Sequence, residues 1–351
     1  MSTPSVGRDR PLPMVSIILP FLNEQENLPR CLTSIAEQDY PSRSIEVVAA
    51  DGGSVDLSRE IIRSFEHRVR VRLIDNSAKR GAEWGKALAM QHASGSLIQC
   101  MDADMWLTSD SMLGSLVRPF VKEEDIAGVV APFALIPTLP TWSRFLSLDE
   151  FQRDPLLQLL TPDIHEFVYS TGDGYVICEF PTTRIPPIGG TTMFRRSQID
   201  LTRWGGHFRE TDQPAFLVSR GLSRFAYVDH VAWGHLHCRT LRELVSKRRR
   251  NLSLIDTGFL AEVPRDFVWL DPADRQERLR LIGWVLGTHL VLPRLLEGLI
   301  QAIRRMRWEA LLRPIAAIAV TDALLVDMLK TSTGRAFLQS AISGKERSRA
   351  A

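Results

Sequence analysis

Two aspartates, Asp102 and Asp104, flank a single alanine just after Leu97-Ile98-Gln99-Cys100, a short run with β-character. In an extended segment residues i and i+2 point to one side. Both carboxylates are therefore expected to face one point where a strand ends. Hard divalent cations such as Mg²⁺ or Mn²⁺ take oxygen ligands, and Mg²⁺ is often held by one or two carboxylates together with substrate phosphates. The chemistry suggested is a metal bridge to a diphosphate. A lone Asp-X-Asp is more often a solvated turn, because Asp is common in loops. The elements that precede this pair reverse that preference.

Val15-Ser16-Ile17-Ile18-Leu19 reads as a buried strand stopped by Pro20, with Phe21-Leu22-Asn23-Glu24 as the loop beyond it. Leu28, Cys31, Leu32 and Ile35 then recur at helical spacing, which places Pro29 in a first turn. Ile45–Ala50 is a second strand, ending in Asp51-Gly52-Gly53-Ser54-Val55-Asp56, where Asp56 can cap a helix from Leu57 to about Phe65. A third strand over Val69–Ile74, a helix from about Trp84 to Ala93 and the strand ending at Asp102 follow. This alternation predicts a mixed, mostly parallel α/β sheet, Rossmann-like, with helices on both faces. Ligands of such sheets bind outside the carboxyl ends of the strands, and the clusters at 20–24, 51–54 and 102–104 all lie there.

The composition narrows the class. A chain of 351 residues with formal net charge +2 gives no electrostatic case for nucleic acid as a partner. Four cysteines, Cys31, Cys100, Cys178 and Cys238, form no Cys-x-x-Cys pair, which argues against a disulfide framework or a structural zinc. Residues 1–13 are polar, with three prolines and no apolar run. They read as a flexible tail rather than a secretory signal.

Taken together, Val15–Glu24, Ala50–Asp56 and Asp102-Ala103-Asp104 resemble, in order and spacing, the three N-terminal signatures of family 2 glycosyltransferases. The resemblance covers roughly residues 14–250 and implies the GT-A fold, a nucleotide-sugar donor and a divalent metal. It implies that Pro20, Phe21, Asn23, Glu24, Asp51 and Gly53 contact the donor's base and ribose. Arg80 would lie near the diphosphate, Asp102 would face the nucleotide and Asp104 would hold the metal. Pro186–Arg196 resembles the family's acceptor-side strand, where Gly189 and Gly190 would let a sugar approach the backbone closely.

The family places an acidic pair, one member of it the general base, near Gly205–Asp212. This chain reads Arg209-Glu210-Thr211-Asp212, so the base is Glu210 or Asp212, with Glu210 narrowly ahead. An inverting transfer needs such a carboxylate to take the acceptor hydroxyl's proton. Asp212 also suits the N-cap of a helix over Pro214–Arg220. In Trp233-Gly234-His235-Leu236-His237 the resemblance makes His235 the residue that completes the metal site or meets the diphosphate, with His237 on the same side if the segment is extended. The Gln-x-x-Arg-Trp signature of processive relatives is absent. The basic run Lys247–Arg250 in its place suits a lipid phosphate or a solvated helix face. Residues 142–175 carry no assignable role.

Beyond residue 250 the pattern changes. Leu281–Ile300 carries a helical apolar stripe interrupted by His289, Pro293, Arg294 and Glu297, and Leu311–Leu329 carries Arg313, Asp322 and Asp327. Neither is a clean span of about 20 uncharged residues, and Arg304, Arg305 and Arg307 between them oppose a hairpin with its loop outside. Residues 251–330 are expected to form amphipathic helices on the cytoplasmic leaflet, peripheral or monotopic, followed by a polar tail over 331–351. Integral insertion, a cytoplasmic location, packing on the catalytic domain and a homodimer are the alternatives. The expected activity is an inverting, metal-dependent transfer of one sugar from a nucleoside diphosphate sugar to a lipid-linked or glycan acceptor. The rival is a nucleotide-sugar-binding scaffold of the same fold that has lost catalysis.

Overall fold

A computed structural model describes residues 11–76, 81–203, 206–256 and 274–343. The first half alternates strands β1 (Val15–Phe21), β2 (Ile45–Asp51), β3 (Arg70–Asp75) and β4 (Leu97–Cys100) with helices α1 (Leu28–Ala36), α2 (Ser58–Ser64) and α3 (Ala82–His92). Then come β5 (Met105–Leu107), α4 (Met112–Lys122), β6 (Gly128–Val130), α5 (Thr141–Leu146) and α6 (Pro155–Leu160). Next are β7 (Val168–Thr171), β8 (Val176–Glu179), β9 (Thr192–Arg195), α7 (Gln213–Ser219), β10 (Arg224–Tyr227) and β11 (Trp233–His235). Helices α8 (Leu241–Asp256), α9 (Arg275–Thr288), α10 (Val291–Arg305), α11 (Arg313–Lys330) and α12 (Ser332–Ser343) complete the described chain.

Nine strands form one sheet in the order β3-β2-β1-β4-β9-β6-β10-β8-β7. Strands β8 and β9 run against the other seven. The chain order reverses between β1 and β4, the switch point at which open α/β sheets hold ligands. Strict alternation decides which helix covers which face. Ile17, Leu19, Val47 and Ala49 pack with α1 and α4, whereas Ile18, Val48 and Ala50 pack with α3 and α7. A third apolar cluster joins α5, α6, α8, α9 and α11. All four cysteines are buried and unpaired.

Several expectations need correction. Strand β1 continues through Pro20 to Phe21 instead of stopping at the proline. Ile18 O accepts from Met101 N, so Ile18 and Pro20, two residues on, face the β4 side. The β1–β4 ladder ends at Ile18–Cys100, so the missing N–H of Pro20 deprives no partner. Asp102 lies beyond β4, in a turn where Met105 N donates to Asp102 O (3.0 Å). The extended geometry expected for Asp102–Asp104 is therefore replaced by a bend. Residues 332–343, read as part of a polar tail, form helix α12. The boundary placed at residue 250 falls inside α8. The Leu281–Ile300 stripe is broken between Thr288 and Val291. The assignments to residues 1–10, 257–273 and 344–351 lie outside the described residues.

No single helix among the described residues is long and apolar enough to cross a membrane, although α9 and α10 pass that test as a pair bent by 93°. Helix α11 buries Ala316, Ala317 and Val320 in the third cluster. Helix α10 instead exposes Leu292, Leu295, Leu296, Leu299 and Ile303.

Candidate active site

The loops after β1 and β2 are tied together before anything binds them. Asn23 N donates to Ser54 Oγ (2.9 Å) and Val55 N donates to Asn23 Oδ1 (2.9 Å). Glu24 N donates to Ser58 Oγ (2.8 Å) and Gly52 N to Phe21 O (2.8 Å). Asp56 does not sit at the cap of α2, but its carboxylate accepts from Ser58 N and Gln25 N (3.0 and 3.1 Å). Asn23 adopts φ +55 and Gly53 φ +96, so the chain turns sharply on both sides of the join.

Asp51 serves this turn. Its carboxylate accepts from Gly53 N (3.1 Å) and Ser54 N (2.8 Å) and pairs with Arg59 (2.5 Å). Burial raises its pKa, but these bonds more than offset burial and hold the carboxyl below its ordinary range. Glu24 is pushed the other way, first by burial, against a bond from Asn27, and then by the charges of Asp104 and Asp102. Glu24 and the two aspartates follow the carboxyl ends of β1 and β4, neighbouring strands of the sheet. Arg80 lies outside the described residues.

The two aspartates part company at the bend. Asp102 turns to Lys86 of α3, Oδ1 to Nζ 3.4 Å, and the same ammonium meets Glu210 Oε2 at 2.6 Å. Lys86 is 4% exposed. Burial would lower its pKa, but the Asp102 and Glu210 carboxylates hold it well above the ordinary value. Burial pushes the Glu210 carboxyl above its ordinary value of 4.5; Lys86 opposes this and Asp102 adds to it. The sequence reading missed Lys86, although the signal was present. It stands four residues after Ala82 and three before Ala89, on the apolar stripe of α3, where an unpaired lysine is seldom buried.

The glycines of the acceptor-side segment explain how Glu210 reaches Lys86. A Cβ on Gly189 would lie 1.9 Å from Glu210 O, so the space expected for a sugar is filled by the Glu210 backbone. A Cβ on Gly190 would find nothing nearer than Glu210 Oε1 at 3.9 Å. A side chain at Gly190 would thus touch the Glu210 carboxylate at van der Waals distance. Asp212 is diverted. It precedes α7 without a capping bond, and its carboxylate pairs with Arg209 (3.2 Å).

Asp104 meets a different set. Strands β5 and β11 pair His235 with Met105, and Leu236 N donates to Asp104 O (3.0 Å). The ladder thereby carries His235 Nε2 to 3.4 Å from Asp104 Oδ1. Gly234 makes this possible, since any Cβ there would strike the Trp106 indole at 2.0 Å. Lys247 of α8 stands 3.7 Å from Asp104 Oδ2 and also donates to His237 O. Burial raises the Asp104 pKa, but the charges of a protonated His235 and of Lys247 outweigh it and lower the carboxyl below its ordinary value. The His237 ring nitrogens are buried without partners, and burial together with His235 and the α8 cations keeps that ring neutral.

The basic run is not a free patch. Arg248 pairs with buried Asp154 (2.6 Å) and Arg249 with Asp327 (2.6 Å). Among the described residues no group of three or more His, Cys, Asp or Glu side chains gathers as a cation site. The Asp104–His235 pair still suits Mg²⁺ or Mn²⁺. His235 Nδ1 is engaged by Gln152 Oε1 (2.7 Å), so when the ring is neutral its Nε2 lone pair stands beside a carboxylate. Two electron-pair donors with no hydrogen between them are a cation's partners, and substrate phosphates commonly supply the remaining oxygens.

Comparison with known proteins identifies the family. The family model described as Glycosyl transferase family 2 matches residues 16–170. An N-acetylglucosaminyltransferase of Bradyrhizobium elkanii is 34% identical over 134 residues, 37% of this chain and 72% of that protein. Glycosyltransferase AglE of Haloferax volcanii is 32% identical over 94 residues, 26% of this chain and 31% of its own length. The chain thus spans less than a third of that relative. Among solved structures, S. aureus TarS 1-349 aligns over 95% of this chain and 92% of its own, with 15% identity and a TM-score of 0.47.

Proposed function

The chain belongs to glycosyltransferase family 2, and from that premise we propose that it is an enzyme transferring one sugar, with inversion, from a nucleoside diphosphate sugar to a lipid-linked or glycan acceptor. The observation that carries this reading is the convergence of Asp102 and Glu210 on Lys86 beside the Asp104–His235 pair. Residues more than a hundred positions apart in the chain are thereby brought into contact.

In this reading the joined loops of Pro20, Phe21, Asn23 and Glu24 with Asp51 and Gly53 receive base and ribose. Asp51 acts by fixing the turn rather than by reaching out. Asp102 borders the nucleotide, and Arg80 is assigned to the diphosphate by resemblance alone. Asp104 and His235 hold Mg²⁺ or Mn²⁺, which when bound supplies positive charge to a departing diphosphate. Lys247, 3.7 Å from Asp104, adds a second positive charge there. Glu210 takes the acceptor hydroxyl's proton as that oxygen bonds to the anomeric carbon and the bond to the diphosphate breaks. Its raised pKa suits a base, and the absence of a side chain at Gly190, which faces the same carboxylate, suits the acceptor. Asp212, held by Arg209, is the weaker base. The exposed leucines of α10 support a peripheral seat on the cytoplasmic membrane face, where a lipid-linked acceptor resides.

The test is Mn²⁺-dependent turnover of a panel of uridine and guanosine diphosphate sugars. Asp104→Ala is expected to abolish turnover. Glu210→Gln is expected to lose roughly 10²–10⁴-fold in kcat while still binding donor. Full turnover in Asp104→Ala would refute the metal assignment. Donor binding without any turnover by the wild type would favour the inactive scaffold.

A further inference from the structure

Residues 142–175 have no part in the reading above, yet one of them touches the metal pair. Gln152 is a non-glycine residue at φ +52 and only 3% exposed. Its Nε2 donates to Ser147 Oγ (2.9 Å), and with the amide so oriented its Oε1 accepts from His235 Nδ1 (2.7 Å). A left-handed, buried glutamine is an uncommon solution, and such backbone strain persists only where the surroundings impose it.

The surroundings do impose it. Asp149 O accepts from Gln152 N (3.0 Å), closing the turn. Arg153, 8% exposed, is gripped by both Asp149 oxygens and donates to Asp163 Oδ2 and Pro162 O. Asp154, 1% exposed, caps α6 through Leu156 N and Leu157 N and pairs with Arg248 of α8. Arg248 also donates to Gln152 O (3.4 Å). Charged groups on both sides therefore fix residues 149–154, and the glutamine between them is aimed at one imidazole.

We propose that Gln152 is a positioning residue: its amide carbonyl holds His235 as the Nδ1–H tautomer and turns the Nε2 lone pair toward Asp104. The ring nitrogen that carries the proton is set by the bond the other nitrogen makes, and such outer partners govern how well a histidine binds metal. The inference rests on the metal assignment to Asp104 and His235 and adds the residue that prepares it. It also gives a role to the Asp149–Asp154 segment.

The test begins on the metal-free protein. Two-bond ¹H–¹⁵N spectra of the imidazoles, recorded above about pH 8 where an ordinary histidine is neutral, are expected to show His235 protonated on Nδ1. Gln152→Leu is expected to lose that tautomer, and Gln152→Glu, which keeps an acceptor, to retain it. Titration with Mn²⁺ alone, followed by electron paramagnetic resonance, should show about 10–100-fold weaker binding in Gln152→Leu and recovery in Gln152→Glu. A wild-type His235 protonated on Nε2 overturns the proposal even if the leucine variant fails to fold. So does Mn²⁺ binding that Asp104→Ala abolishes and Gln152→Leu leaves intact. Mn²⁺ binding that neither variant changes overturns the underlying metal assignment instead.

Discussion

Lys86 is the residue on which the acidic cluster turns. It is buried between two carboxylates from separate parts of the chain. Removing one partner of a buried ion pair strands the other, at about 3–5 kcal/mol. Lys86→Met is therefore expected to lose stability on that scale in urea denaturation, and an unchanged midpoint would show that the pair is solvated. The same lysine sets the base. Glu210 works only as the carboxylate, so turnover falls as pH drops through its pKa. Burial raises that pKa above 4.5, so the acid limb of kcat/KM should lie above that of an ordinary glutamate. Lys86 pulls it back down, so in Lys86→Met the limb should move further up. A limb at the ordinary value in both proteins would remove Glu210 from the role. Asp102, Asp104, His235 and Glu210 could be singled out in the sequence because each type and place matched a pattern. Lys86 left only the trace of a lysine on an apolar stripe, and Lys247 and Gln152 left none, because the partners that give them meaning are distant in sequence.

At the scale of elements, the acceptor-side glycines divide their labour. Gly189→Ala would drive a Cβ into Glu210 O at 1.9 Å, and the 206–212 segment must shift. A displacement near 1 Å at a reacting group can cost about 10²-fold. That loss is expected in kcat, with donor binding retained. Gly190→Ala meets only Glu210 Oε1 at 3.9 Å and should act on acceptor KM instead. Equal effects of the two substitutions would contradict this division. The first four strands and three helices could be read from the sequence, since buried parallel strands and amphipathic helices alternate there with short loops. The bend at Asp102–Asp104 could not be, because local alternation does not reveal where β4 ends. Strands β5 and β11 have three residues each, too short for any periodicity, yet together they deliver His235 to Asp104.

For the whole molecule, α8 links the two halves. Consecutive basic residues reach Asp104, Asp154 and Asp327 in turn. What resembled a surface charge run is internal wiring, because one helix faces three elements at once. The C-terminal helices differ in what they offer: α11 is built into the third cluster, while α10 leaves its leucines exposed. Replacing Leu295 and Leu299 with Glu is expected to abolish co-sedimentation with anionic vesicles while leaving donor hydrolysis and melting temperature unchanged, since both residues are about half exposed (51% and 47%). Persistent vesicle binding would place the contact elsewhere.

The unpaired, buried cysteines give the molecule a stopwatch. Burial pushes Cys178 up to about 11 and Cys238 to about 12, and raises Cys31 and Cys100 as well. Only the thiolate reacts with an alkylating reagent, so iodoacetamide can reach these sulfurs only when the chain opens. Cys31 and Cys100 would time the half that carries Asp102, and Cys238 the junction with α5 and α8. Mass spectrometry of the labelled peptides would thus show which part of the protein breathes first, without any introduced probe.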